Sequence, residues 1–264
     1  MKLRSLICVS AVAAASAAFA LGGANTFARL KVTSDLSNSI IAIPLAGCGE
    51  TEAKIYVTNL VMTTGLSEGD TLMYKEDGTS WYAWEIKSGS WSPVAAGTKN
   101  GVTYAAPNAY MMDCGRACWL IRSSTSNPIY LYGQVNETLP TSVTVSGAAD
   151  ADKFAYTLIA KPSESSALDL NSWHPANAAT GDLLLVPVST NLNAMGQVTY
   201  RYNATTPAWE TVRQTTTSVT NARTKAVSVV TNSTWTAIST STTIPAGKGV
   251  MYGRKGTSGA TLAW

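Results

Sequence analysis

Near the middle of this chain stands the run Gly115-Arg116-Ala117-Cys118-Trp119-Leu120-Ile121-Arg122, and a similar run, Gly247-Lys248-Gly249-Val250-Met251-Tyr252-Gly253-Arg254, stands near its end. Both begin with glycine and a base, continue through mostly apolar residues and finish with arginine. Each leads into a further short apolar run, residues 129–132 in the first case and 260–264 in the second. The repetition predicts that the chain contains two copies of one structural unit.

Other matched segments precede the two runs in the same order. Each copy has an apolar strand closed by proline, then a Gly-Asp turn that enters a strand, then an aromatic strand and a tryptophan. The matched pairs are residues 39–44 and 156–162, residues 69–70 and 181–182, and Trp91 and Trp209. This shared order supports the prediction of two similar halves.

The spacing of apolar residues favours strands over helices. No segment of the expected mature chain keeps an apolar stripe at helical spacing, and turn residues separate the short apolar runs. We therefore predict an all-β protein made of two tandem small β-sandwich or barrel-like domains from an internal duplication, residues 25–140 and 150–264. The second copy has a longer linker, which predicts an inserted hairpin with its turn at Asn232-Ser233.

The order of these segments resembles a secreted bacterial β module of undefined function. The likeness rests on Pro245-Ala246-Gly247-Lys248-Gly249 in the second copy and on residues 115–122 in the first. The first copy departs from the pattern, since Asp113-Cys114 stands where the second copy has Pro-Ala. The resemblance implies an architecture and no activity.

Residues 1–20 have the pattern of a secretory signal peptide. Two basic residues precede a short apolar run that ends in Ala18-Phe19-Ala20, a small-x-small cleavage site. The run is too short to cross a bilayer comfortably, and no later segment has the composition of a transmembrane helix. We expect cleavage after Ala20, with Ala24 and Ala28 as alternatives, and a protein that is secreted, periplasmic or on the cell surface.

The expected mature chain is almost neutral, because removal of residues 1–20 leaves 17 basic residues against 16 acidic ones. Near neutrality argues against a nucleic-acid partner. The charges are unevenly spread: residues 183–264 hold seven bases and one acid, Glu210, whereas residues 21–182 hold 10 bases and 15 acids. This asymmetry suits head-to-tail contact within or between molecules, and scattered solvated charges are the alternative interpretation.

Three cysteines remain after cleavage, which implies one disulfide and one further thiol, or pairing between molecules. Cys118 matches Val250 of the second copy, so we expect it to be a small buried hydrophobic residue. The predicted disulfide joins Cys48 to Cys114. The alternative, Cys114 to Cys118, needs a tight reversal, because four extended residues span about 13 Å.

Catalytic and metal-binding patterns are weak. His174 is the only histidine, and no Gly-x-Ser-x-Gly motif accompanies it. The acidic pairs Glu50/Glu52, Glu68/Asp70 and Glu76/Asp77 fall in predicted loops and turns, and Asp70 is matched by Asp182, which favours a structural role. We therefore predict no catalytic, cofactor-binding or metal-binding residues and no enzyme activity.

Trp81, Tyr82 and Trp84 form the aromatic strand of the first copy. Aromatic rings on one exposed face would form a platform that stacks on sugar rings, whereas rings on the inner face would belong to the core. Trp81 and Trp84 have opposite strand parity, so one of them is expected to face outward. These three residues are the candidate ligand platform.

Export, repetition and the weak catalytic patterns together predict a non-enzymatic β protein with a structural, adhesive or surface-interaction role, including self-association. A carbohydrate-binding module that uses the aromatic platform on a surface glycan is the alternative. An outer-membrane β-barrel, suggested by the C-terminal Trp264, and a glycosidase are more remote alternatives.

Overall fold

The computed structural model describes residues 27–32, 38–42, 45–46, 54–56, 61–75, 81–99, 102–105, 111–113, 116–124, 127–135, 141–161, 167–187, 197–220, 227–238 and 241–264. The predicted signal peptide, Cys48, Cys114 and the acidic pairs Glu50/Glu52 and Glu76/Asp77 lie outside these residues. Within them the regular structure is all β, which confirms the all-β part of the prediction.

The described part of the chain contains 22 strands. Those before residue 140 are β1 Phe27–Val32, β2 Asn38–Ala42, β3 Leu45–Ala46, β4 Lys54–Tyr56, β5 Thr71–Lys75, β6 Trp81–Lys87, β7 Ser90–Pro93, β8 Gly97–Lys99, β9 Val102–Tyr104, β10 Met111–Asp113, β11 Ala117–Ile121 and β12 Ile129–Val135. Those after residue 140 are β13 Ser142–Val145, β14 Phe154–Ile159, β15 Leu168–Asp169, β16 Leu183–Pro187, β17 Gln197–Asn203, β18 Ala208–Thr220, β19 Val227–Ala237, β20 Thr243–Ile244, β21 Val250–Lys255 and β22 Ala260–Ala263.

In the two larger sheets the first four strands follow an equivalent pairing order, and the remaining strands differ. In the first sheet the order is β2-β11-β5-β6-β9-β8, and β7 also pairs with β6. In the second the order is β14-β21-β16-β17-β18-β19. Small sheets accompany each: β1-β12-β3 and β4-β10 in the first half of the chain, and β13-β22 and β15-β20 in the second. The two runs that end in arginine thus supply the second strand of each large sheet.

Each half buries its own apolar core. The first core contains Leu72, Tyr74 and Trp84 from the large sheet together with Ile129 and Leu131 from β12. The second is built in the same way, from strands β14, β16, β17, β18 and β21 with β13 and β22 lying over them. Alternate residues of each strand point into these cores, as the period of two along a strand requires.

The side chains that point to the other face of these strands meet in a third apolar cluster, which both halves share. It contains Ile40, Ala117, Leu158 and Met251, with Trp119 packed against it. Residues 40–42 of β2 are therefore buried on both faces, which explains why Ile40-Ile41-Ala42 is a continuous apolar run and not an alternating one.

Backbone hydrogen bonds also join the halves. The Ala42 N–H donates to the Gly247 carbonyl at 3.0 Å, and the Gly249 N–H donates to the Ile40 carbonyl at 2.7 Å. Bridges form between Ile41 and Lys248 and between Arg116 and Ile159. Strands β2 and β14, the first strands of the two sheets, thus each pair on their outer side with the beginning of the other half's arginine run.

The predicted inserted hairpin needs a correction. Asn232 and Ser233 do not form a turn, because both lie within β19. Strand β18 runs on from Trp209 as far as Thr220 and pairs with β19 in one continuous antiparallel ladder. The connection lies at residues 221–226, outside the described residues.

Candidate functional site

Asp70 is buried in the turn before β5, where it accepts hydrogen bonds from two parts of the chain. Its Oδ2 accepts from the Ser67 N–H at 2.9 Å. Its Oδ1 accepts from the Ser123 N–H at 2.7 Å and from the Ser123 hydroxyl at 2.8 Å. The carboxylate therefore ties the turn to the segment that follows β11, in agreement with the structural role predicted for Asp70.

Asp182 holds the corresponding turn before β16 with more partners. It accepts from the backbone N–H groups of Ala179 and Lys255, both at 2.8 Å. The Tyr252 hydroxyl donates to its Oδ2 at 2.6 Å, and Arg254 Nη1 donates to the same oxygen at 2.7 Å. Burial, and then the charge and hydrogen bond of Asp182, raise the pKa of Tyr252, so this hydroxyl stays a donor.

The arginines that end the two repeated runs bind carbonyl groups of nearby loops. Arg122 Nη2 donates to Gly65 O at 3.0 Å and to Asn127 O at 2.7 Å. Arg254 donates to Asn177 O at 2.9 Å as well as to Asp182. Burial lowers the pKa of Arg122, and the charge of Asp70 opposes that shift. The two arginines therefore help to fix the loops.

A polar cluster lies where β17, β18 and β19 meet. Glu210 Oε2 accepts from Arg201 Nε at 3.0 Å and from its Nη2 at 2.5 Å, while Oε1 accepts from Asn203 Nδ2 at 3.0 Å. Arg201 also lies over the ring of Trp235, with its guanidinium carbon 4.6 Å from the ring centroid. Burial tends to raise the pKa of Glu210, but the bonds from Asn203 and Arg201 and the Arg201 charge bring it below its usual value.

Beyond this cluster the β18–β19 pair continues alone. The register joins β18 to β17 only from Ala208 to Thr211, whereas it joins β18 to β19 as far as Thr220. Residues 212–220 and 227–235 therefore form a two-stranded ribbon about 30 Å long at the usual rise per residue. We call these residues the ribbon. Among the described residues, no strand pairs with the outer edge of β19.

The composition of the ribbon and its connection differs from that of a protected edge. Residues 211–237 contain the bases Arg213, Arg223 and Lys225 and no acid, and β19 itself contains neither a charged residue nor a proline. Val212, at the root of the ribbon, is an exposed hydrophobic residue, and it lies opposite Trp235 in the ladder. Uncharged edge strands rich in β-branched residues readily pair with further strands.

The three residues of the candidate aromatic platform do not share a face. Trp84 is buried in the first core and Tyr82 packs against that core. Trp81 lies on the other side of β6, half-buried, where its ring meets Trp119 edge-on at 5.7 Å. Lys75 Nζ lies 5.7 Å from the Trp81 ring centroid. Trp81 and Trp84 therefore point to opposite sides of β6, as their strand parity indicates, and the side expected to face outward holds the third apolar cluster, which half-buries Trp81.

The remaining candidate residues have ordinary structural contacts. His174 is exposed and its Nε2 donates to the Asn171 carbonyl at 2.8 Å. Glu68 is exposed and accepts from the Gly89 N–H at 2.9 Å. Cys118 is fully buried in the first core, as predicted, and burial raises the pKa of its thiol.

Among the described residues, no three side chains of His, Cys, Asp and Glu lie close enough together to hold a metal ion. The same residues contain no helix long and apolar enough to cross a membrane.

Comparisons with known proteins give no relative. No protein-family model, no curated protein and no solved structure matches this chain.

Sequence reasoning did not find the Arg201–Glu210–Trp235 cluster. The alternation Tyr200-Arg201-Tyr202 indicates that Arg201 points away from the tyrosines, and this signal is visible in the sequence. The position of Glu210 opposite Arg201 depends on the register of β17 with β18, and that of Trp235 depends on the register of β18 with β19. Neither register can be read from composition.

Proposed function

We propose that this chain is an exported, non-enzymatic β protein with a structural, adhesive or other surface-interaction role. The ribbon of β18 and β19 is the observation that carries the proposal. An isolated two-stranded ribbon is marginally stable in water, so a long one with an uncharged outer strand is best explained as an element that binds something. The signal-peptide pattern of residues 1–20 supports export.

The hydrogen bonds that the buried carboxylates accept also support a non-enzymatic role. Asp70, Asp182 and Glu210 each accept several hydrogen bonds from the protein itself. Such carboxylates hold turns and strands in place, which is a structural use of their charge.

We further infer that residues 25–140 and 150–264 are two copies of one small sandwich-like or barrel-like unit. Several pairs of equivalent contacts support this duplication. Trp91 Nε1 donates to Val61 O, nine residues before Asp70, and Trp209 Nε1 donates to Trp173 O, nine residues before Asp182. The ribbon would then be an addition to the second copy, because the short β7 takes its place in the first.

The proposed function can be tested by shortening the ribbon. Replacing residues 214–233 with Asn-Gly joins the paired residues Arg213 and Thr234 through a two-residue turn. We expect the shortened chain to keep the thermal unfolding temperature of the full chain. When it is expressed with its signal peptide, mass spectrometry should show that it begins at Leu21. Unlike the full chain, the shortened chain should be washed off the producing cells. Equal retention of both chains on the cells, or a full chain that keeps residues 1–20, would contradict the proposal.

Carbohydrate binding is the second candidate, and the position of Trp81 favours it. This ring is half-buried beside Trp119 and lies close to Lys75, so part of it is available for stacking. The test is titration of tryptophan fluorescence with soluble cellohexaose and chitohexaose. A response lost in Trp81→Ala and kept in Trp235→Ala would support this function, and an unresponsive full chain would exclude these two glycans.

A further inference from the structure

The two large sheets have five outer strands, β2, β7, β8, β14 and β19, and among the described residues only β19 is long, uncharged and without a strand partner on its outer side. Strands β2 and β14 are covered on their outer side by the other half, through the bridges at Lys248 and Arg116. Strand β7 has four residues and ends in Pro93, and strand β8 has three residues and ends in Lys99. Very short strands and lysine are common protections against edge-to-edge pairing. Strand β19, with 11 residues and no charge, has neither protection.

We propose that β19 is a self-association edge, at which the β19 strands of two copies of this chain pair antiparallel and join their six-stranded sheets. This inference rests on the proposed function, since it names the partner of the ribbon. A second copy always offers the same strand, and antiparallel pairing of identical strands closes after two molecules about a two-fold axis. The occupant of the edge is therefore the identical strand of another molecule.

The sequence of β19 fits such a pairing. Full overlap of the 11 residues places the two-fold axis at Asn232, the midpoint of the strand. In that register Val229 lies opposite Trp235 of the second copy, and Val227 lies opposite Ala237. Pairs of an aromatic with a β-branched residue are among the favourable cross-strand pairs, and no charged residue enters the new ladder.

The strand at the proposed seam, β19, contains no charged residue. Arg213 is on β18, one strand away from the seam, and Arg223 and Lys225 stand in the sequence between the two strands, outside the described residues. Association through β19 should therefore depend only weakly on salt. Head-to-tail association between the oppositely charged parts of the chain would instead weaken strongly as salt is added.

Charge substitutions at the proposed axis provide the test. Asn232→Lys and Asn232→Asp each place two like charges opposite one another across the seam, so each variant should dimerise about fivefold more weakly than the wild type in sedimentation velocity. An equimolar mixture of the two variants should regain the lost affinity, because Lys then faces Asp. Thr215→Lys, opposite Asn232 on β18, is the matched control and should leave dimerisation unchanged.

Several results would overturn the inference. The inference is wrong if the wild-type chain stays monomeric at every concentration or if salt abolishes its association. It is also wrong if the single variants associate as strongly as the wild type, or if their mixture does not regain the lost affinity. If the wild type is monomeric but the chain with the shortened ribbon is still washed off the cells, the self-association inference fails and the proposed surface role stands. If the wild type dimerises as predicted but retention does not need the ribbon, the surface role fails instead.

Discussion

Two aspartates in matching turns show how a buried carboxylate organises its surroundings. Asp70 is satisfied by backbone N–H groups and the Ser123 hydroxyl, while Asp182 is satisfied by backbone N–H groups, Tyr252 and Arg254. In both cases the oxygens of a buried carboxylate accept several hydrogen bonds, so that the buried polar groups are paired. The common feature is the tie between a turn and a distant strand end.

Asp182→Asn should destabilise the protein strongly. The amide would turn two donor hydrogens toward groups that are themselves donors and would leave Arg254 without its buried counter-charge. We expect a loss of about 3–5 kcal/mol in the free energy of unfolding, measured by urea denaturation. Asp150→Asn is the control, because Asp150 is exposed and forms a surface ion pair with Lys153. Its substitution should change the free energy of unfolding by close to zero. A loss at Asp182 as small as the control would refute the structural role.

Glu210→Gln should lower stability at neutral pH by about 2 kcal/mol, since bonds from Arg201 and Asn203 then meet a neutral acceptor. The pKa of Glu210 lies below its usual value of 4.5 in the folded protein. Its contribution is therefore complete above that value and is lost as the pH falls through the lower, folded pKa. Urea denaturation from pH 7 to pH 2 should show the difference between wild type and variant shrinking only below about 4.5. A difference that is constant with pH would contradict this account.

At the scale of strands, the two halves come close together just before β21 begins. A Cβ built on Gly249 would lie 2.6 Å from Ile40 Cγ2 and 2.7 Å from Ala117 Cβ. Gly249 and Ala117 occupy the same position in the two arginine runs, so in the proposed duplication the equivalent residues of the two copies face each other. One of them must be glycine for the strands to come this close.

Gly249→Ala should therefore destabilise the protein by about 1–3 kcal/mol through overpacking. Ala117→Gly alone should cost about 1 kcal/mol through the lost methyl group and the added chain entropy. The double variant should cost less than the sum of the two, because removal of the Ala117 Cβ relieves part of the clash. Chemical denaturation of the four proteins measures this coupling, and strictly additive losses would show that the two positions do not interact.

The sequence was a good guide to strands and a poor one to the ribbon. The Gly-Asp turn at residues 69–70 predicts a strand directly after it, and the aromatic run at residues 81–84 predicts a second strand; β5 and β6 lie at these positions. Asn232-Ser233 predicts a turn, because both residue types favour turns locally. Eleven consecutive cross-strand pairs with β18 override that preference, and a threonine-rich stretch such as residues 215–217 suits a strand as well as a loop.

The candidate site was predictable only where it depends on one strand. Strand parity alone separates Trp81 from Trp84, so that part of the prediction succeeded. The polar cluster at the root of the ribbon needs three strands in a particular register, and the sequence contains no local signal for it. The same is true of the contact between Gly249 and Ala117, which requires the packing of two halves far apart in the chain.

At the scale of the whole molecule, the halves hold each other through edges that would otherwise be open. Ile41 pairs with Lys248 and Ile159 pairs with Arg116, so the first strands of both sheets are closed within one chain. The last strand of the second sheet is left as the site where pairing can continue between molecules. Internal closure at β2 and β14 thus directs the proposed association to β19.

Hydrogen exchange of the wild-type chain at increasing protein concentration tests this claim most directly. Alternate N–H groups of an outer strand face away from its sheet and exchange readily, and they become protected when another strand pairs with them. We predict that peptides covering β19, residues 227–237, gain protection as concentration rises, while peptides covering β2 and β14 exchange at the same rate throughout. Exchange in β19 that does not change with concentration, or protection that appears first at β2 or β14, would contradict the account.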